Sequence, residues 1–236
     1  MESGADLGLA PDRIARQLRS SLDRLGVDHV DLYLAHDYDR AVPLAESLGA
    51  FRAAQADGLV GGYGVSNFDA RQLAAALGAA APQAIQNSYS LLARQDEPEL
   101  LPLCAQRGVA YLAFSPLAGG WLTGKYRRGA PYPAGSRMTQ RPEPYSRFVT
   151  DRTFEALAGL RVIASGRGTS MAGLALAWLL ADDRVAQIVI GPGRPEHLAA
   201  AAEALEHPLT GQELATIEEV VAGLVAKEAA PKKVQP

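Results

Sequence analysis

Apolar positions recur along this chain in two alternating rhythms. Residues 14–26 (IARQLRSSLDRLG) carry them at helical spacing and close on Gly26, which predicts a helix ended by a glycine C-cap. HVDLYLAH (29–36) then has the length and apolar content of a strand. The pair repeats: a helix over 43–58 ended by Gly58, a strand over 59–67 (LVGGYGVSN), and a helix over 69–80 with Asp69 placed to cap it. In the strand, glycines stand where close packing leaves no room for a side chain. A third strand falls at 83–90 and its helix at 98–108, and a fourth strand is predicted over 109–120 (VAYLAFSPLAGG). From Trp121 to Tyr145 runs a loop rich in Gly, Pro and Arg. Helical period resumes over 151–168 and 170–183, followed by a fifth strand at 185–193 and helices over 194–207 and 210–228. The tail from about 228 to 236 is expected to be disordered.

Strand–helix units with continuous apolar strands predict a parallel sheet covered by helices. An open doubly wound sheet and a (β/α)₈ barrel both satisfy that pattern. No G-x-G-x-x-G follows any strand, so the dinucleotide fingerprint of the open fold is missing. Polar residues instead gather after the strands: His36, Ser66 and Asn67, Gln86 and Asn87, Ser115, and Gly191 to Arg194. Several strand ends feeding one site is the barrel arrangement. Only five βα units are countable, where a closed barrel of this type has eight, so the expected fold is an incomplete barrel in one domain over 1–236.

Composition narrows the function. Hydrophobic residues make up 48% and charged ones 21%, and the net charge is −3, which gives no attraction to nucleic acid or to an anionic membrane. Aromatics at 6% argue against a base-stacking platform. A single cysteine, Cys104, excludes an intramolecular disulfide and a cysteine-rich metal site; its place on a helix face predicts a buried thiol. Neither a signal peptide nor a bilayer-length apolar run is present, and a cytoplasmic protein is expected.

Five motifs then carry a resemblance: LDRLGVDHVDLYLAH, GGYGVSNF, IQNSYSLL, FSPLAGGWLTGKY and IVIGPGRPEHL. In order and spacing they resemble the aldo-keto reductases, nearest the branch of aflatoxin-aldehyde reductases and potassium-channel β subunits. The resemblance runs from about Pro11 to Leu224. It implies NADP(H) bound across the C-terminal ends of barrel strands, and reduction of a small aldehyde or ketone by hydride transfer. His36 matches the active-site histidine, whose imidazole can hydrogen-bond the carbonyl oxygen as charge develops on it. Ser66 and Asn67 match the pair holding the nicotinamide carboxamide, with Gln86 as a further partner. SNFD would equally make a helix N-cap, and both roles can hold together. Phe114 matches the ring stacked on the nicotinamide; plain core packing is the other role open to it.

The same resemblance lays the backbone of Ser115, Pro116, Leu117 and Gly119 along the pyrophosphate, with Lys125 and Arg137 over the phosphates. A strand-to-loop turn would use the same small residues. Gly191 and Gly193 let the backbone approach the adenosine end, and Arg194 would pair with the 2′-phosphate and select NADP over NAD. Here the pattern departs: His197 stands where glutamine or arginine is usual, and Ala200 and Ala201 replace a Glu-Asn pair. Trp121 and Tyr38 would either line the substrate mouth or cover surface. All these strand tips are expected to meet in one groove.

The larger departure precedes "GLAPDRIARQL". The family's first three strands carry an aspartate, an acid tyrosine and a lysine, none of which maps onto this chain. We expect an incomplete version of a longer enzyme, with turnover impaired. A short form covered by a partner, or a catalytically silent NADP(H)-binding module with a regulatory or assembly role, are the other readings. Two open strand edges further predict a homo-oligomeric or aggregation-prone chain.

Overall fold

The structure, a computed structural model, describes residues 8–225. Its elements alternate as the sequence predicts: α1 (Pro11–Leu25), β1 (Val30–Ala35), α2 (Leu44–Ala56), β2 (Val60–Ser66), α3 (Ala70–Ala79), β3 (Ala84–Ser88), α4 (Leu100–Arg107) and β4 (Ala110–Phe114). Then follow α5 (Arg137–Gln140), α6 (Asp151–Gly166), α7 (Met171–Leu180), β5 (Val185–Val189), α8 (Ala199–Glu206) and α9 (Gly211–Val225). The five strands form one sheet in the order β1-β2-β3-β4-β5. β1 pairs parallel with β2, Ala35 beside Val65, and β2 parallel with β3, Ser66 beside Gln86. The expected tail lies outside the described residues.

By contacts the chain divides into two compact units, residues 1–87 with 98–112, and residues 88–97 with 113–236. In the first, Leu18 and Leu22 of α1 pack with Ala54 of α2 and Val60 of β2, against partly buried Val30, Tyr33 and Leu59. Gly26 ends α1 at φ 67, a left-handed cap whose N–H bonds to the carbonyl of Asp23. Asp69 caps α3 in a reciprocal box with Gln72. Gly64 is required by the sheet: a Cβ there would stand 2.4 Å from the carbonyl oxygen of Ala84 and 2.7 Å from Leu34 Cδ2. Cys104 is buried in α4, as expected of a structural thiol.

In the second unit, Leu176 and Ala177 of α7 and Ala204 of α8 form a core packed by Ile188 of β5 and Ile190 just after it. Two boundaries differ from expectation. The fourth strand stops at Phe114, and the residues read as its continuation form a 3₁₀ turn over Ala118–Thr123. The cause is backbone: Ser115 (φ 56) and Ala118 (φ 47) are left-handed, which breaks the extended run. The helix expected over 194–207 begins as a 3₁₀ turn, Pro195–Leu198, before α8. No helix among the described residues is long and apolar enough to cross a membrane.

Candidate active site

Three strand ends of the first unit are tied together by side chains. His36 directly follows β1, and its backbone carbonyl accepts from Asn67 Nδ2 at 2.8 Å. The same amide also donates to Ser66 Oγ at 3.2 Å, while Ser66 Oγ donates to the carbonyl of Gln86 at 2.7 Å. Asn67 N–H reaches that carbonyl too, at 3.2 Å. His36, Ser66, Asn67 and Gln86 therefore form one cluster, with Ser66 buried, Gln86 half-buried, and His36 and Asn67 exposed. Asn67 holds φ 60, a conformation that costs a non-glycine residue about 1–2 kcal/mol and that asparagine tolerates best.

Both Nδ2 protons of Asn67 are used within the cluster, so its Oδ1 is the atom left to meet a ligand N–H. The Gln86 side-chain amide engages no protein group among the described residues, which leaves its N–H₂ available as a donor. Tyr38 is half-buried, its ring edge-on to Phe68 at 5.2 Å.

In the second unit, Phe114 is half-buried, and its carbonyl accepts from Tyr89 N–H at 3.2 Å. Ser115, Pro116, Leu117 and Ala118 then turn sharply, Ala118 N–H bonding back to the Ser115 carbonyl at 2.9 Å. Gly119 (φ 65) and Gly120 (φ 92) continue the left-handed path. The side chains of two residues cover them: a Cβ on Gly119 would meet the Tyr145 ring at 2.5 Å, and one on Gly120 the end of the Lys125 side chain at 2.5 Å. Trp121 is fully buried among Tyr126, Phe148 and Phe154, so it neither lines a mouth nor covers surface. Nothing in the sequence marks Ala118 or Tyr145, because neither backbone strain nor a ring laid on a glycine has a periodic signature.

Further along, Gly191, Gly193, Arg194 and His197 are exposed, and the Gly193 N–H bonds to His197 Nδ1 at 3.2 Å. Pro195 opens the 3₁₀ turn that Arg194 caps. Arg137 is exposed at the start of α5. Among the described residues, no His, Cys, Asp and Glu group could hold a metal ion.

One tyrosine of this unit has a strongly altered acidity. Burial pushes the Tyr89 hydroxyl up, and its bonds to Glu97 (2.8 Å) and Asp182 (3.1 Å) push it further. That makes Tyr89 a poor proton donor and a structural tie.

The chain belongs to the aldo/keto reductase family, which it matches over residues 1–222. It is 34% identical over 216 residues to an L-glyceraldehyde 3-phosphate reductase of Escherichia coli, covering 87% of this chain and 62% of that protein. A probable voltage-gated potassium channel subunit beta of Arabidopsis thaliana is 33% identical over 204 residues, covering 82% of this chain and 61% of the relative. A solved glycerol dehydrogenase of Gluconobacter oxydans superposes with a TM-score of 0.82 at 26% identity, over 97% of this chain and 69% of the other. This chain thus spans a little under two thirds of the curated relatives it matches. Its five-stranded parallel sheet is the family's barrel fold with five of the eight strands.

Proposed function

We propose that this chain binds NADP(H) and takes part in reducing an aldehyde or ketone to an alcohol. One observation carries the reading most directly. Among the described residues, three non-glycine positions adopt the left-handed backbone, Asn67, Ser115 and Ala118, and all lie in the strand-end motifs that resemble the family's cofactor segments. Such conformations persist only where surrounding structure imposes them, and they concentrate at binding sites.

In this reading Asn67 Oδ1 accepts from the nicotinamide carboxamide and Gln86 donates to its carbonyl, with Ser66 fixing both through the Gln86 backbone. Phe114 would stack on the ring. The backbone of Ser115, Pro116, Leu117 and Gly119 would run beside the pyrophosphate, with Lys125 and Arg137 as its cations. Gly191, Gly193, Arg194 and His197 would hold the adenosine end, and Arg194 would favour the 2′-phosphate of NADP. The bound cofactor supplies the hydride. His36 offers an imidazole N–H to the substrate oxygen, stabilising the negative charge that grows there.

The family's acid tyrosine has no counterpart among these 236 residues, and loss of general acid help lowers rate by about 10²- to 10⁴-fold. Among the residues of this chain, His36 is the group placed to assist the substrate oxygen. The substrate is a small carbonyl compound, the compartment the cytoplasm, and the chain self-associates. A second reading, a non-catalytic NADP(H)-binding module, draws on the channel-subunit relatives.

Titration with NADPH and NADH, followed by cofactor fluorescence, tests the binding claim. NADPH should bind at least tenfold tighter, and Arg194→Ala should close the gap. Equal weak binding of both removes the proposal. Single-turnover oxidation of bound NADPH by glyceraldehyde separates the two readings: slow decay abolished by His36→Ala supports the reductase, and no decay supports the silent module.

A further inference from the structure

The geometry points to a second ligand site, for a small aromatic or acyl carboxylate, in a groove between the start of the long loop and α6. The groove encloses about 320 Å³, within the range of ligand-sized clefts. Its wall is apolar, formed by Phe154, Leu157 and Ala158 of α6 with buried Tyr126 beside them. The Phe154 ring is fixed from behind by Trp121, centroid to centroid 5.6 Å, so the wall is preformed.

Three guanidinium groups, Arg127, Arg128 and Arg161, and one carboxylate, Glu155, also line the groove. Arg128 is neutralised, 2.9 Å from Asp151 and 3.7 Å from Glu155, and lies over the Phe154 ring. Arg127 is exposed with no carboxylate partner among the described residues, and Arg161 spends one N–H on the Gly124 carbonyl at 3.1 Å. Two positive charges thus remain uncompensated beside an apolar wall. Their surroundings make this unusual: residues 121–152 hold seven basic and two acidic side chains in a chain of net charge −3. An apolar body against Phe154 and Leu157, with a carboxylate on Arg127 and Arg161, satisfies both features, since guanidinium groups match carboxylates in geometry.

The Arg161 bond to Gly124 joins this groove to the turn just before Lys125. The site itself needs no nucleotide, so it stands or falls apart from the cofactor proposal. Calorimetric titration of the nucleotide-free chain with 3-phenylpropionate and with its neutral analogue 3-phenylpropanol tests it. The acid should bind saturably, one per chain, and at least tenfold tighter than the alcohol. Arg127→Glu should weaken it at least tenfold, Ala158→Trp should fill the groove and abolish it, and Arg194→Glu should leave it unchanged. Both Arg127 and Ala158 are exposed, and circular dichroism confirms that each variant is folded. If Ala158→Trp does not fold, the Arg127→Glu and alcohol comparisons decide alone. No saturable binding, equal affinity for acid and alcohol, survival of binding in Arg127→Glu, or loss in Arg194→Glu overturns the assignment.

Discussion

At the scale of single residues, Asn67 does two jobs that can be separated. Its amide joins β1 to β2 through the His36 carbonyl, and its backbone occupies the left-handed region. Asn67→Ala loses the hydrogen bonds and keeps a Cβ in the left-handed region without the short polar side chain that lets asparagine tolerate it, which should lower unfolding free energy by about 2 kcal/mol. Asn67→Gly loses the same bonds but not the backbone fit, and should cost about 1 kcal/mol less in urea denaturation. Equal losses would show that the strand ends do not hold this backbone. Both variants lack Oδ1, so both should weaken NADPH binding alike. The motif SNFD gave the Asp69 cap of α3 in advance, because capping chemistry is written in residue type. Ala118 gave no such warning: an alanine forced left-handed looks like any other alanine in a sequence.

Elements were legible where periodicity and caps agree, as in α1 with Gly26 and α3 with its capping box. They were less legible where an apolar run outlasts its strand, since hydrophobicity alone cannot tell β4 from the turn after Phe114. β2 offers a sharp test of strand packing. In Gly64→Ala the new methyl would meet the backbone oxygen of Ala84, which no side-chain rotation can relieve, and stability should fall by about 3 kcal/mol. A thermal midpoint unchanged from the unaltered chain would show that β2 and β3 are spaced more widely.

The C-terminal helix α9 is held by charge, through Arg167 to Glu213 and through Arg94 and Trp178 to Glu218. The Thr210 N–H and hydroxyl, then Arg167, hold the Glu213 carboxyl down at about 2, from a usual 4.5. A depressed folded-state value stabilises the fold fully above pH 4.5 and loses that contribution as pH falls toward 2. The protection factors of α9 amides, taken against intrinsic exchange at each pH, should therefore fall across that window. Glu213→Gln should exchange faster at neutral pH and flatten the acid dependence, and an acid response identical in both would place its origin elsewhere.

For the molecule as a whole, the resemblance named the sheet and its strand order of contributions, because five spaced motifs fix a topology that any one of them leaves open. What the chain does with its last strand follows from burial. Strands of a parallel sheet are ordinarily covered on both faces, and β2 is nearly all buried, yet every residue of β5 is at least partly exposed. Val189 is 38% exposed, and Leu205 on the neighbouring α8 is 71% exposed. An apolar edge strand with unpaired backbone groups is a template for another strand, and a lysine on such an edge is the usual block. Sedimentation of the unaltered chain should thus give a mass that rises with concentration, while Val189→Lys and Leu205→Glu shift it toward the monomer without changing NADPH affinity. Ile188 and Ile190 pack on the core around Leu176 and Val189 does not, so the lysine adds charge and leaves that core intact. A concentration-independent monomer for the unaltered chain would mean that β5 is shielded, and would count against an open edge in this fold.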